Sequence, residues 1–299
     1  MKKAIVTGAN GFIGTHLIDY LVKHDIEVTA VVRSVLSDIS NLPKSVKVVY
    51  CDLQSITTLD SVITDRDYDV FYHLAWDGTA GPSRANYPQQ LDNVRNTCDA
   101  AIVSKKINAL KFITTGTISE KIAETAIENH VTSENLIYGI AKSTTHEILD
   151  VICHKNRIDY VWAQLSNIYG GNNNSGNILS YTLKELKNGN RPTFSKAEQP
   201  YDFLFVEDAV KALYLLGTQT TRHSSYFIGS GKPRILKEYL YAISDYFGGS
   251  SAIGIGVRPE DGAVYHREWF DISTLTEDTG FVPDHEFEYY LKAMMTELK

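Results

Sequence analysis

In the first half of the chain, short apolar runs alternate with longer segments whose apolar residues recur every three or four positions. Runs rich in β-branched residues that end at turn residues predict buried strands, whereas the three-to-four spacing predicts helices. Strands are expected at residues 3–7, 27–32, 46–50, 70–74, 110–114 and 160–165, and helices at residues 12–24, 87–104 and 138–154. Strands that alternate with helices are typical of an α/β protein with a doubly wound parallel sheet.

The regular alternation fades after residue 165, where the polar loop GGNNNSGN at residues 170–177 precedes mixed helices and short strands. We therefore predict two domains: residues 1–165, which hold the sheet, and a smaller mixed α/β domain at residues 166–299. The boundary is soft, and the chain is free to cross back into the first domain.

Composition narrows the class of partner. The 299 residues are 43% hydrophobic and 22% charged, as in an ordinary globular protein, and the net charge of -7 argues against nucleic-acid binding. No segment approaches the roughly 18 apolar residues of a membrane span, and the apolar run at residues 4–7 is too short for a secretory signal. Neither a nucleic acid nor a membrane is therefore an expected partner.

The cysteines and histidines argue against two further features, a disulfide framework and a metal site. Cys51, Cys98 and Cys153 are odd in number and far apart, which argues against a disulfide framework and favours a reducing, cytoplasmic setting. The nine histidines lack metal-ligand spacing, so no metal site is predicted. His73 lies in an apolar strand, where a hydrogen-bonded core histidine is favoured over a catalytic base.

A glycine-rich turn follows the first predicted strand. In TGANGFIG, Gly8, Gly11 and Gly14 stand between that strand and the first helix. Glycines there permit a tight turn and let a pyrophosphate approach the backbone at the positive end of the helix. This position indicates a Rossmann-type dinucleotide site, and the alternative is a turn with a structural role alone.

The end of the second strand bears on the choice of cofactor. An Asp or Glu there would bond the 2′-hydroxyl of NAD, but Arg33 and Ser34 occupy this position. A guanidinium can pair with a 2′-phosphate, whereas a carboxylate would repel it. The sequence therefore predicts that NADP(H) is preferred and NAD(H) is possible, unless Arg33 is a solvated arginine at a strand end.

Tyr138 and Lys142, in YGIAK, are four residues apart and share one helix face. Such a pair can carry a proton, because a nearby ammonium favours ionisation of a phenol whose ordinary pKa is about 10. The pair alone also describes two ordinary helix residues. The glycine turn and the TTG segment at residues 114–116 favour the catalytic interpretation.

These motifs occur together in a known family. Nearly the whole chain resembles the extended short-chain dehydrogenase/reductases, specifically the NAD(P)-dependent epimerase/dehydratase group that acts on nucleotide sugars. The resemblance rests on TGANGFIG, CDL at residues 51–53, HLAW at residues 73–76, LDNVRNT, TTGTIS, YGIAK, NIYGG, YDFLFVEDAV and VRPED. It implies a homodimer in which the helices near residues 87–104 and 138–154 pack against their copies.

The resemblance also implies roles for individual residues. The catalytic residues would be Thr115, Tyr138 and Lys142. The residues that bind the cofactor would be Gly8, Asn10, Gly11, Phe12, Ile13, Gly14, Arg33, Ser34, Asp52, Leu53, Leu74, Ala75, Trp76, Asn93, Thr114, Tyr138 and Lys142. The residues that bind the substrate would be Asp77, Arg84, Thr117, Asn167, Asn177, Tyr201, Arg258 and Asp261.

Two departures from the family pattern change the expected reaction and substrate contacts. Dehydratases of the family carry an Asp-Glu pair directly after the catalytic threonine, but Gly116 and Thr117 follow Thr115, which argues against elimination of water. Tyr201 and Gln164 stand where many members have arginines, so the substrate diphosphate would depend on other cations.

The sequence therefore favours an NADP(H)-preferring reductase of a nucleotide-linked 4-keto-6-deoxyhexose, in which Tyr138 donates the proton and Thr115 holds the substrate oxygen. One alternative is a nucleotide-sugar 4-epimerase that keeps NAD tightly bound. A second alternative is a non-catalytic protein that senses a dinucleotide.

Overall fold

The computed structural model describes residues 1–171, 177–260 and 262–297. Its strands are β1 (Lys3–Thr7), β2 (Glu27–Val32), β3 (Lys47–Tyr50), β4 (Val70–His73), β5 (Lys111–Thr117), β6 (Asp159–Leu165), β7 (Asn167–Tyr169), β8 (Pro200–Tyr201), β9 (Phe203–Phe205), β10 (Ser225–Ile228) and β11 (Arg234–Ile235). Its α-helices are α1 (Phe12–Lys23), α2 (Leu59–Val62), α3 (Tyr87–Lys106), α4 (Ser119–Glu128), α5 (Ile137–Asn156), α6 (Ile178–Lys187), α7 (Val206–Thr218), α8 (Leu236–Ser244), α9 (Ser273–Thr279) and α10 (Phe287–Glu297).

A parallel sheet of seven strands forms the centre of the molecule, in the order β10-β6-β5-β4-β1-β2-β3. The order reverses between β1 and β4, which is where doubly wound sheets bind ligands at the carboxyl ends of their strands. The predicted Rossmann-type fold is confirmed, with β2 at the predicted residues and β5 ending three residues later than predicted.

Helices cover both faces of this sheet, and each face has its own apolar core. On one face, α1 and α7 bury residues such as Leu17, Ile18 and Leu213 against the strands. On the other face, α3 and α5 bury Ala100 and Leu149 with their neighbours. Strands buried on both faces read as continuous apolar runs, which explains the β-branched segments of the sequence.

The chain beyond β6 divides its residues between the sheet and a second cluster. Strand β10 returns to the sheet and pairs with β6, so the chain does cross back, while the position of the domain boundary near residue 166 stays a prediction. The second cluster is rich in aromatic residues, including Tyr169, Phe203, Tyr239 and Phe287. Two small sheets, β7 with β9 and β8 with β11, connect this cluster to the carboxyl edge of the main sheet.

No helix of the described ranges is both long enough and apolar enough to cross a membrane.

Candidate active site

A cleft of about 620 Å³ lies at the carboxyl edge of the sheet, at the reversal of strand order. The glycine turn, the ends of β2 and β4, the end of β5, the start of α5 and the start of β7 all contribute to its walls. The predicted site residues that line it are Gly8, Asn10, Gly11, Phe12, Ile13, Gly14, Arg33, Leu53, Leu74, Ala75, Trp76, Asp77, Arg84, Thr115, Thr117, Tyr138, Lys142, Asn167 and Asn177. Residues predicted from distant motifs therefore meet in one cavity.

The turn between β1 and α1 depends on glycine at two positions. Gly8 has a φ of +67°, and a Cβ there would lie 2.8 Å from the Ala75 backbone nitrogen. A Cβ at Gly14 would overlap the Gly8 carbonyl oxygen. Helix α1 begins at Phe12 with no side-chain cap and no acidic residue in its first turn, so its N–H groups are available to an anion. This geometry fits the pyrophosphate of a dinucleotide.

Arg33 reaches into the cleft from the end of β2 and carries two acidic partners. Its guanidinium pairs with Asp77, and its Nε lies 3.8 Å from a carboxylate oxygen of Asp52. Asp52 also accepts a bond from the Gln54 backbone nitrogen and does not line the cleft. Ser34 stabilises the following turn, whereas Ser37, which the sequence analysis did not select, lines the cleft.

Tyr138 and Lys142 are both buried, with exposed fractions of 8% and 3%. The Lys142 ammonium donates to the Thr115 carbonyl oxygen at 2.7 Å and lies 3.7 Å from the centroid of the Trp76 ring. Helix α5 thus presents both side chains to the end of β5, as the spacing predicts.

The structure distinguishes two threonines at the end of β5. Thr115 interacts with Lys142 through its backbone carbonyl. Burial raises the pKa of the Tyr138 phenol, and a hydrogen bond with the Thr117 side chain lowers it. Both threonines line the cleft, so the Thr117 hydroxyl is a second candidate, beside that of Thr115, to hold a substrate oxygen.

The charges around Tyr138 differ from the sequence-based expectation. Burial raises the pKa of Tyr138 to about 12, and Arg84 is the cation that lowers it most. Burial also lowers the pKa of Lys142, an effect that Glu120 opposes. Stabilisation of the phenolate by Lys142 stays a prediction, and the lysine that would supply it is desolvated beside Glu120.

Glu120, on α4, is a buried member of the site that the sequence analysis missed. It accepts hydrogen bonds from the Thr117 backbone nitrogen at 2.6 Å, from Trp162 Nε1 at 3.1 Å and from Gln164 Nε2 at 2.9 Å. Burial raises the pKa of the Glu120 carboxyl. Gln164, which replaces a family arginine, thus faces a buried carboxylate.

The loop after β4 is fixed by α3. Trp76 Nε1 donates to Gln90, and Gln90 donates to the Gly78 and Ser83 carbonyls. Asn93 bonds both the backbone nitrogen and the carbonyl of Asp77. Asn93 is therefore a support of this loop and does not line the cleft.

Two further buried residues support the strand ends. Thr114 donates to the His73 carbonyl at 2.9 Å and does not line the cleft. His73 Nδ1 lies 2.9 Å from the Thr7 hydroxyl, and burial lowers the pKa of His73 to about 3. His73 is thus a neutral core residue, as the sequence analysis favoured.

The predicted substrate residues fall into three groups. Asn167 and Asn177 line the cleft with Asp77 and Arg84. Tyr201 does not line it but donates to Asn167 at 2.8 Å. Arg258 bonds Thr193 and Tyr181 outside the cleft, and Asp261 lies outside the described residues.

Together, the parallel sheet, the glycine turn and the buried Tyr-x-x-x-Lys pair define a dinucleotide-binding α/β fold of the dehydrogenase type. The model of the NAD dependent epimerase/dehydratase family matches residues 4–229, and the chain belongs to this family. The resemblance inferred from the motifs is confirmed.

Individual relatives include enzymes of nucleotide-sugar chemistry. A candidate UDP-glucose 4-epimerase of Methanocaldococcus jannaschii is 26% identical, over 99% of this chain and 98% of its own. The CDP-abequose synthase of Salmonella typhimurium is 27% identical, over 88% of this chain and 86% of its own. The structure of the UDP-glucose 4-epimerase of Thermotoga maritima with UDP-glucose has a TM-score of 0.80 at 19% identity, covering 99% of this chain and 100% of its own.

Proposed function

We propose that the protein is an NADP(H)-preferring reductase of a nucleotide-linked 4-keto-6-deoxyhexose. The observation that carries this proposal is Arg33, a guanidinium in the cleft at the end of β2, where NAD-binding folds place a carboxylate. A reductase oxidises its cofactor and exchanges it in each cycle. NADPH, the usual reductant of biosynthesis, carries a 2′-phosphate with which an arginine can pair.

The acidic partners of Arg33 are compatible with this role. The side chains of Arg33, Asp52 and Asp77 are each at least two-fifths exposed, and exposed ion pairs are worth about 0–1 kcal/mol. A 2′-phosphate, with its greater charge and three acceptor oxygens, can replace them as the anion on Arg33.

Residues of the chain would donate the proton and would orient the substrate and the cofactor. When bound, the reduced nicotinamide supplies a hydride to the substrate carbonyl carbon. Thr117 would bond the carbonyl oxygen, and Tyr138 would give its phenolic proton to that oxygen as negative charge develops. Lys142, anchored on the Thr115 carbonyl, would hold the cofactor ribose and the geometry of the pair.

Elimination of water lacks the groups it needs. If Thr117 is the reacting hydroxyl, Ile118 and Ser119 follow it, and neither is an Asp or a Glu. Glu120 is the next residue, but its carboxylate is engaged by Thr117, Trp162 and Gln164. A dehydratase is therefore not supported.

A nucleotide-sugar 4-epimerase is the second candidate. The observation that favours it is the similarity to the candidate UDP-glucose 4-epimerase, which spans 99% of this chain. The same threonine, tyrosine and lysine would serve, with the hydride returned to the opposite face of the sugar. A dinucleotide sensor would have no use for a buried Tyr138–Lys142 pair.

The sugar nucleotide would extend from the catalytic pair toward β7 and α6. Asn167 and Asn177 line that side of the cleft, and Asp77 and Arg84 line the side of the loop after β4. Tyr201, through its bond to Asn167, would shape the nucleotide side in place of the family arginine.

Incubation of the protein with NADPH and a nucleotide 4-keto-6-deoxyhexose tests the reaction. The reductase should consume NADPH in proportion to sugar, and Tyr138→Phe should bind the cofactor but lose turnover by about two to four orders of magnitude. NAD that co-purifies, with an isomerised sugar and no net redox change, would establish the epimerase instead. No NADPH consumption across several nucleotides would reject the reductase.

The cofactor preference has a separate test by calorimetric titration with NADPH and NADH. Arg33→Asp should weaken NADPH at least tenfold and leave NADH the tighter ligand, because the new carboxylate would repel the 2′-phosphate. Equal NADPH affinity in the two proteins would exclude Arg33 as the phosphate partner.

We also propose a homodimer and a cytoplasmic location. Tyr87 and Leu91 on α3 and Val151 on α5 are 61–68% exposed, and these helices pack side by side. Exposed apolar side chains on two neighbouring helices suit a contact with a second copy of the chain. All three cysteines are free, which suits a reducing compartment.

A further inference from the structure

Arg84 is a cation at the edge of the cleft to which the proposed reaction assigns no part in the proton transfer. It lies in the short turn Gly81–Ala85, between β4 and α3, and lines the cleft. Its guanidinium carbon is 4.5 Å from the centroid of the Tyr138 ring, and its NH2 group donates to Ser119 Oγ at 2.9 Å. Its Nε is buried without a hydrogen-bond partner among the described residues.

A polar path connects Arg84 to the catalytic tyrosine. Ser119 Oγ lies 3.4 Å from the Thr117 hydroxyl, and the Ser119 backbone nitrogen donates to that hydroxyl at 3.2 Å. Thr117 in turn bonds the Tyr138 side chain. The start of α4 thus holds the arginine and the threonine on the same side of the phenol.

Each element packed around Tyr138 contributes to its electrostatic environment. The loop after β4 brings Arg84, α4 brings Glu120, β5 brings the Thr117 hydroxyl, and α5 brings Lys142. Glu120 opposes ionisation of Tyr138, whereas Arg84 and Thr117 favour it. Trp76 adds an apolar ring, edge-on to Tyr138 with the centroids 6.2 Å apart.

The two cations of this set differ in how firmly they hold their charge. Lys142 is almost fully buried, and burial lowers its pKa. An arginine stays protonated in proteins, and its flat guanidinium stacks on aromatic rings. The permanent positive charge beside Tyr138 is therefore that of Arg84.

We propose that Arg84 acts through Tyr138 as a positioning residue, whose guanidinium, held by Ser119 against the ring, stabilises the Tyr138 phenolate. This role rests on the proposed function, because the proposed reduction leaves Tyr138 as a phenolate. In that step the Tyr138 O–H bond breaks, the proton passes to the substrate oxygen, and the electron pair stays on the phenolic oxygen. Solvent restores the proton afterwards, and no further reactant is needed.

The test is the ionisation of residue 138 itself, which needs neither sugar nor cofactor. A fluorinated tyrosine, whose phenol is more acidic than that of tyrosine, is introduced at position 138 by codon suppression. Its single ¹⁹F resonance is followed by NMR between pH 6 and pH 11. The backgrounds are wild type, Arg84→Met, Arg84→Lys and, as a matched control, Arg95→Met, which removes an exposed arginine on α3 that pairs with Asp92.

Arg84→Met should raise the pKa of the residue-138 phenol by about one to two units, the effect of a unit charge several ångströms away at an intermediate dielectric. Arg84→Lys should restore most of the difference because it keeps the charge. Arg95→Met should match the wild type. Thermal unfolding of each variant establishes that the fold is intact.

An Arg84→Met phenol that titrates as in the wild type would overturn the inference. So would an Arg84→Lys phenol that titrates as in Arg84→Met, because charge would then not be the cause. If the shift is found while no nucleotide 4-keto sugar is reduced, the inference stands and the proposed reaction fails.

Discussion

The Lys142 ammonium nitrogen lies 2.7 Å from the Thr115 carbonyl oxygen, so the backbone of β5 anchors the lysine of the proposed catalytic pair. The Thr115 hydroxyl takes no part in this contact. The strand therefore serves the site twice, through a carbonyl at residue 115 and through a side chain at residue 117.

Thr115→Val and Thr117→Val separate these two roles, since both replacements are similar in shape. Thr117→Val should lower kcat by about two orders of magnitude, because it removes the hydroxyl beside Tyr138. Thr115→Val keeps the carbonyl that Lys142 needs, so kcat should change only a few fold. Steady-state kinetics of NADPH oxidation, with NADPH affinity measured alongside, compares the pair. A larger loss in Thr115→Val would return the catalytic role to Thr115.

Gly116→Ala should destabilise the fold and disturb the site. A Cβ at residue 116 would overlap Trp162 Nε1 and lie 2.6 Å from Glu120 Oε1, both within a buried network. Overpacking of this kind costs about 1–3 kcal/mol. Urea unfolding measures the change, with Gly171→Ala as a control where a Cβ meets nothing within 4 Å. Equal midpoints for the two variants would contradict the close packing around Gly116.

His73 should make stability depend on pH below neutrality. In the folded protein its pKa is about 3, well below the ordinary value of about 6.5, so between these values the unfolded chain binds one more proton. The free energy of unfolding therefore falls as pH falls, by about 2 kcal/mol from pH 7 to pH 5 for this group.

His73→Phe should remove that contribution, because phenylalanine cannot take up the proton. Urea unfolding at pH 7 and pH 5 gives the measurement. His154→Gln, at an exposed position on α5, is the matched control and should keep the wild-type dependence. An unchanged slope in His73→Phe would show that another group drives the acid response.

Val151→Glu should weaken the proposed homodimer. Val151 is 68% exposed on α5, one of the two helices of the proposed interface, and a charge in an apolar interface remains unpaired. Sedimentation velocity at micromolar concentration should show a dimer for wild type and a monomer for Val151→Glu. Leu110→Glu, also exposed but in the loop before β5, should stay dimeric. A monomeric wild type would refute the dimer.

The strands and helices of the main sheet could be predicted because they carry strong periodic patterns. Strand β2 lies at the predicted residues, and α1 ends one residue before the predicted end. The end of β5 could not be placed, since threonine and glycine suit both a strand and a turn. The three residues beyond the predicted end include both Thr115 and Thr117, so the choice of catalytic threonine stays a prediction.

The remaining interactions of the site could not be predicted from the sequence, because they depend on tertiary contacts. Glu120, in SEKIAE, has the pattern of a solvated helix residue, and only the folded structure reveals its bonds to Trp162 and Gln164 on β6. Arg84 could be recognised as a loop arginine, but its stacking on Tyr138 depends on how the loop folds. No local pattern encodes the pairing of Arg33 with Asp77.

The return of β10 to the sheet has a consequence for how the chain can be divided. Strand β10 covers the outer side of β6 with backbone hydrogen bonds from Ser225 to Ile228. A fragment that stopped at residue 165 would expose the N–H and C=O groups of β6 along an apolar edge, which is a template for aggregation. We therefore expect the dinucleotide half to need a strand encoded some sixty residues later in order to remain soluble.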